Sequence, residues 1–151
     1  MDVKRLVGSG DRIMLFVLPL LVIGVILNVV FPSFFSVGGP PGWLWGVSVV
    51  GLIAGAAIWL WSVVLILAKV PKGELITTGP FHFVKHPLYT GVSLLLIPSL
   101  GFLLDSWLGV VLGAAMYVAA RRYAPAEEAE LSEAFGPAWD SYVRTVKFSR
   151  L

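Results

Sequence analysis

Cysteine is absent from the 151 residues, which excludes a disulfide framework and any thiolate metal site. Histidine is almost absent: His82 and His86 are the only two, too few for most metal centres, so no metal is expected. Charge is scarce, at 13% of residues against 58% hydrophobic, and the mean hydropathy is +0.88. Soluble domains carry about 25% charged residues, so this composition excludes that class and points to an integral membrane protein. The net charge of +2 is too small to argue for a nucleic-acid partner.

The scarcity is arranged in blocks. No Asp, Glu, Lys, Arg or His occurs from Ile13 to Ala68, and Asp105 is the only charge from Leu88 to Ala120. A membrane crossing needs roughly 20 apolar residues, and four candidates fit, over about 13–31, 43–68, 88–104 and 107–120. Pro40-Pro41-Gly42 turns the chain between the first two, and Asp105-Ser106 between the last two. The last two are short for a full crossing, which Arg121, Arg122 and Tyr123 extend by snorkelling. The first is too long for a signal sequence and lacks a small-x-small cleavage site, so it reads as an uncleaved span. Pro19 and Pro98 are expected to kink their spans. Gly51-x-x-x-Gly55 and Gly109-x-x-x-Gly113 read as packing inside one bundle rather than as a dimer face.

Such a layout puts three basic residues before the first span (Lys4, Arg5, Arg12), three in the second connection (Lys69, Lys72, Lys85) and five after the fourth (Arg121, Arg122, Arg144, Lys147, Arg150). All lie on one side, which the positive-inside tendency makes cytoplasmic, with both termini inside and contact with anionic lipid expected there. Trp43, Trp45 and Trp107 then mark the outer interface. The expected fold is an all-α integral membrane protein, a single domain over 1–151 with about four transmembrane helices plus a C-terminal amphipathic cytoplasmic helix.

Two polar islands interrupt the apolar background. In the first, Thr77-Thr78-Gly79-Pro80 is a turn and Pro87 is suited to open the third helix. Free amides at that helix start, with Lys85 and His86, would attract an anionic group such as a small ligand's carboxylate; the plainer alternative is a basic loop gripping headgroups, with Tyr89 as a belt residue. In the second, Pro125-Ala126-Glu127-Glu128 reads as a helix start, Leu131 and Phe135 as an apolar stripe, Gly136-Pro137 as a stop, and Trp139 and Tyr142 as an aromatic anchor.

Taken together, Gly79-Pro80-Phe81, Lys85-His86-Pro87, Tyr89 and Gly91, followed by Glu127, Glu128, Leu131, Phe135, Gly136, Trp139, Tyr142 and Val146, resemble the paired motifs of the isoprenylcysteine carboxyl methyltransferase and phospholipid methyltransferase superfamily of membrane enzymes. The likeness covers about residues 75–146. Departures are Lys85 where arginine is usual, Trp139 where tyrosine is common and Lys147 where the isoprenylcysteine enzymes tend to have proline.

The resemblance implies methyl transfer from S-adenosylmethionine, leaving S-adenosylhomocysteine, to a lipophilic acceptor from the membrane: an isoprenylcysteine-type carboxylate, a phospholipid amine or a thiol. It implies a cofactor pocket formed by segments 77–91 and 121–146. His86 and Pro87 would hold cofactor polar groups beside Lys85, Tyr89 would line the pocket, and Glu127 or Glu128 would accept hydrogen bonds. Arg122, five residues before Glu127, would orient the acceptor or pair with the carboxylates. An amine acceptor would need a base, for which Glu127, Glu128 and His86 are the candidates. Membrane sterol reductases share the C-terminal likeness and would use NADPH, and a non-catalytic lipid-binding scaffold would ignore both nucleotides.

Overall fold

The apolar blocks fold as helices packed in a row. The computed structural model describes residues 8–148, with side chains from residue 15 onward; Lys4, Arg5 and Arg150, and the side chain of Arg12, lie outside that description. Helix α1 spans Gly8–Val30 and runs through Pro19. A single turn, α2 (Pro32–Phe35), follows. Helix α3 (Gly42–Lys69) opens after Pro41 and passes into a short 3-10 turn at Val70–Lys72. The connection then forms a second 3-10 turn at Gly79–His82. The next helix has three parts: α4 (Pro87–Gly91), a π-helical stretch at Val92–Leu96 and α5 (Ile97–Leu103). Helix α6 runs Leu108–Phe135 and α7 runs Pro137–Thr145. Among the described residues the only extended pairing is an isolated parallel bridge between Val84 and Phe148.

The π stretch has a local cause. Proline lacks an N-H, and its ring meets the carbonyl four residues back, so a regular helix cannot continue unchanged across Pro98. Widening just upstream absorbs the mismatch.

Close helix contact requires small residues, and the glycines supply it. Gly101 of α5 and Gly109 of α6 meet backbone to backbone, so that a methyl added at Gly101 would lie 2.6 Å from the Gly109 Cα. Gly51 and Gly55 of α3 face Ser99 and the Leu95–Leu96 pair. Both spaced glycine pairs therefore serve packing inside the bundle. The α4–α5 helix lies between α3 and α6, and α1 covers another face of α6, where Val17, Leu21, Met116, Ala119 and Ala120 pack together. Little of this is a large apolar core. Side chains such as Val29, Val50 and Leu67 point outward, 66–73% exposed, a surface suited to lipid.

Among the described residues one helix, over Gly42–Lys72, is long and apolar enough to cross a membrane, and two shorter apolar helices cover Leu15–Val30 and Pro87–Leu103. The expected fourth segment differs in a useful way. Helix α6 does not stop near Ala120 and restart at Pro125; it continues through Pro125 for 28 residues, about 42 Å. Pro125 and its neighbour Ala126 are exposed, and Pro125 lies at the edge of a cavity.

At the end away from the basic residues, Asp105 organises the turn. Its backbone takes a left-handed conformation (φ 54°), and its carboxylate accepts bonds from Ser36 Oγ (2.5 Å), Gly39 N (2.9 Å) and Val37 N (3.2 Å). The Ser36 bond first, then the Gly39 and Val37 amides, hold its carboxyl below the usual range against partial desolvation. Beside it Trp107 donates from Nε1 to Phe34 O and packs on the Phe34 and Phe35 rings.

Candidate active site

Helices α5 and α6 touch closely at Gly101 and Gly109, and toward the other end of the pair they part around a cavity of about 280 Å³. Ligand pockets begin at roughly 300 Å³, so the space suits a small organic molecule. Its polar wall comes from the two islands and from the part of α6 that precedes the second. Lys85, His86 and Tyr89 approach from one side; Tyr117, Arg121 and Glu128 of α6 approach from the other.

Local sequence explains the first wall. Pro87 is fully buried and opens α4, while the His86 carbonyl receives both the amide and the hydroxyl of Thr90. His86 is thereby fixed at a helix start with its ring free to face α6. One turn later Tyr89 stacks its ring on His86, with centroids 6.0 Å apart and planes at 29°.

The two walls are joined by ion pairs. Lys85 Nζ lies 2.6 Å from the Glu128 carboxylate, and His86 Nε2 lies 3.2 Å from Glu128 Oε1. On the other side of the imidazole, Nδ1 is 3.9 Å from Glu127 Oε2. Burial pushes the Glu128 carboxyl up, but hydrogen bonds from His86 and Lys85 and the charges of both outweigh it, leaving its pKa below the usual value. Glu128 is therefore a carboxylate at neutral pH.

Of the residues assigned from sequence, Lys85, His86, Tyr89 and Glu128 line the cavity. Pro87 stands behind them, and Glu127 reaches the site through His86. Arg122 is exposed and off the cavity wall, whereas its neighbour Arg121 is on it. Adjacent helical residues point about 100° apart, and here it is Ala120 and Arg121, not Arg122, that reach the wall. Tyr117 and Arg121 were missed because the helix was broken at Pro125. Once α6 is continuous, positions 117, 121, 124 and 128 fall on one face, and all four line the cavity.

The aromatic anchor expected in the tail also has a different role. Trp139 and Tyr142 are buried within the protein, clustered with Val146 against Leu75, Leu131 and Phe135. Gly136, at φ 48°, makes the sharp reversal that folds α7 back on α6.

No curated protein and no solved structure matches the chain. A family model does, over residues 48–133, which takes in most of α3, the whole His-Pro segment and α6 past both carboxylates. That match covers more than half of the chain and includes every side chain on the cavity wall, so the protein belongs to the isoprenylcysteine carboxyl methyltransferase (ICMT) family.

Proposed function

We propose that this membrane methyltransferase uses S-adenosylmethionine to methylate a lipophilic, anionic acceptor of the isoprenylcysteine type at the cytoplasmic face of the membrane. The observation that carries the reading is the cavity where Lys85 and His86 meet Glu128, with Tyr89 and Tyr117 beside them. That set of groups fits the donor. Lys85 and His86 would hold its carboxylate, Glu128 and Glu127 its amino or hydroxyl groups, and the tyrosine faces would favour a neighbouring sulfonium. When bound, the donor supplies a methyl group on a positively charged sulfur that departs as a neutral thioether.

The chain's own contribution is placement and dryness. A cavity held by two charge-assisted links keeps its wall in one geometry before binding, and aligned reactants held away from water account for most of the acceleration such a transfer needs. Arg121, which makes no ion pair among the described residues, adds a cation on the wall suited to an acceptor carboxylate. Four crossings with both termini cytoplasmic bring the site to the inner interface. In support, Lys69, Lys72, Lys85, Arg121 and Arg122 cluster at the cavity end of the helices and Asp105 at the other, as the positive-inside tendency expects.

Calorimetry on the purified protein tests the donor. Saturable binding of S-adenosylhomocysteine, undisturbed by NADPH, is the expected result; no saturable binding, or displacement by NADPH, ends the reading. Arg121→Ala is expected to raise the acceptor KM by about tenfold, the size of one lost charge-assisted hydrogen bond, with donor affinity within threefold. Arg122→Ala should change either constant by less than about twofold, as an exposed charge does. The opposite ranking would return the acceptor role to Arg122.

A further inference from the structure

The segment that carries Lys85 and His86 has little regular structure of its own. Between Gly73 and His86 it forms one 3-10 turn, yet two of its residues, Lys85 and His86, must both meet Glu128 within hydrogen-bonding distance. Something must hold it. Three consecutive carbonyls answer the question, because each accepts a hydrogen bond from the tail. Tyr142 donates its hydroxyl to Phe81 O at 2.7 Å, the Lys147 amide points at His82 O at 3.4 Å, and the Phe148 amide donates to Phe83 O at 2.8 Å. Val84 and Phe148 thereby form the parallel bridge, and Lys147 Nζ sits 5.0 Å above the Phe83 ring.

We infer that residues Tyr142–Phe148 are a positioning clamp: they hold the carbonyls of Phe81, His82 and Phe83 so that Lys85 and His86 stand ready at the donor site. The described residues from Pro137 to Phe148 do not line the cavity, so this part of the tail acts through the loop and not on the ligand. Its grip has a firm base, since Trp139, Tyr142 and Val146 are all buried against Leu75, Leu131 and Phe135. Burial, with a smaller push from the Glu128 charge, raises the Tyr142 hydroxyl above its ordinary value, which keeps it a protonated donor throughout the working pH range. A loop fixed on one side by backbone bonds to the tail, and on the other by ion pairs to α6, need not be ordered by the ligand. Preorganisation of that kind appears as affinity.

The effect on affinity rests on the donor reading proposed above; the grip itself does not. Two variants separate them. Phe148→Pro removes the one amide that bonds Phe83 O while sparing a packed side chain, because Phe148 is exposed. Tyr142→Phe removes only the hydroxyl. The absence of cysteine allows clean double labelling at two exposed positions, His82→Cys on the loop and Glu130→Cys on α6, and the spin–spin distance distribution reports how firmly the loop is held. The clamp predicts a broadened distribution in both variants, an S-adenosylhomocysteine dissociation constant raised about tenfold, a raised donor KM, and kcat at saturating donor within about twofold of the parent. Distributions as narrow as the parent's overturn the clamp whatever the affinities do. Broadening without loss of affinity overturns its role at the site, as does a kcat that falls in step with thermal stability. If the parent protein binds no S-adenosylhomocysteine, the donor reading fails, and the distance distributions alone decide whether the tail holds the loop.

Discussion

Glu128→Ala is expected to weaken S-adenosylhomocysteine binding by more than about 30-fold, the lower end of what truncating one partner of a buried charge pair costs. The reason is that Glu128 joins both halves of the site. Its carboxylate meets Lys85 at 2.6 Å and His86 at 3.2 Å, and the Lys85 and His86 side chains are only 11% exposed. Removing it leaves a cation and an imidazole partly desolvated with their common partner gone, so the loop loses its tie to α6 at the same time as the cavity loses an acceptor. Glu128→Gln keeps an acceptor for His86 and should fall between the parent and the alanine variant. Combining Lys85→Met with Glu128→Ala should restore part of the thermal stability, because no unpaired ammonium remains, but should not restore binding. Calorimetry and thermal unfolding read the two effects separately. Acid provides an independent check. The Glu128 pKa is lowered in the folded protein, so its contribution to stability is full above the ordinary value of 4.5 and is lost as pH falls through the lowered one. As pH falls below 4.5 the parent should therefore lose stability more steeply than Glu128→Gln, which has no carboxyl to protonate; parallel curves would show that the link contributes nothing.

The meeting of the two islands was legible because the residues that form it sit in two motifs whose pairing is distinctive, and because their chemistry is conspicuous against an apolar chain. Helix positions were legible for the same reason: long runs without charge leave few places to turn, and Pro41, Pro87 and Gly136-Pro137 mark the turns they were expected to mark. What could not be read is equally physical. Pro125 has the local character of a helix breaker, and nothing in the neighbouring residues shows that the helix passes through it. That misplaced break hid the Tyr117–Arg121–Glu128 face. Trp139 and Tyr142 have the composition of an interface anchor, and nothing local distinguishes a ring that meets lipid from one that meets Leu75, which lies more than 60 residues away in sequence. Pro98 signals a disturbance of its helix but not that it takes the form of a π stretch, and two of the three bonds from the tail to successive carbonyls come from backbone amides, which carry no residue signature.

Gly113→Leu is expected to prevent recovery of folded protein. In a membrane, helices gain no net hydrophobic energy by leaving lipid for one another, so their association depends on close packing and on small residues that permit it. Gly113 lies on α6 where the π stretch crosses it. A methyl group there would overlap the Ser93 carbonyl oxygen and come 3.0 Å from the Pro98 ring. Neither neighbour can yield easily: the carbonyl is main chain, and the proline ring is fixed at the start of α5. Gly113→Ala should therefore cost more than the roughly 1–3 kcal/mol typical of an overpacked core, and the leucine side chain should separate the helices altogether. Because the cavity opens where α4 and α6 part, such a separation also displaces Arg121 and Glu128 from Lys85 and His86, and donor binding should disappear together with the fold. Gly46→Ala is the control, since Gly46 lies on α3 with nothing within 4 Å of an added methyl; there the change should be neutral or stabilising by about 0.5–1 kcal/mol through helix propensity. Size-exclusion profiles and thermal midpoints in detergent distinguish the cases. A monodisperse Gly113→Leu protein with the parent's midpoint would mean that α6 does not pack against the π stretch as described, and the cavity between those helices would have to be redrawn.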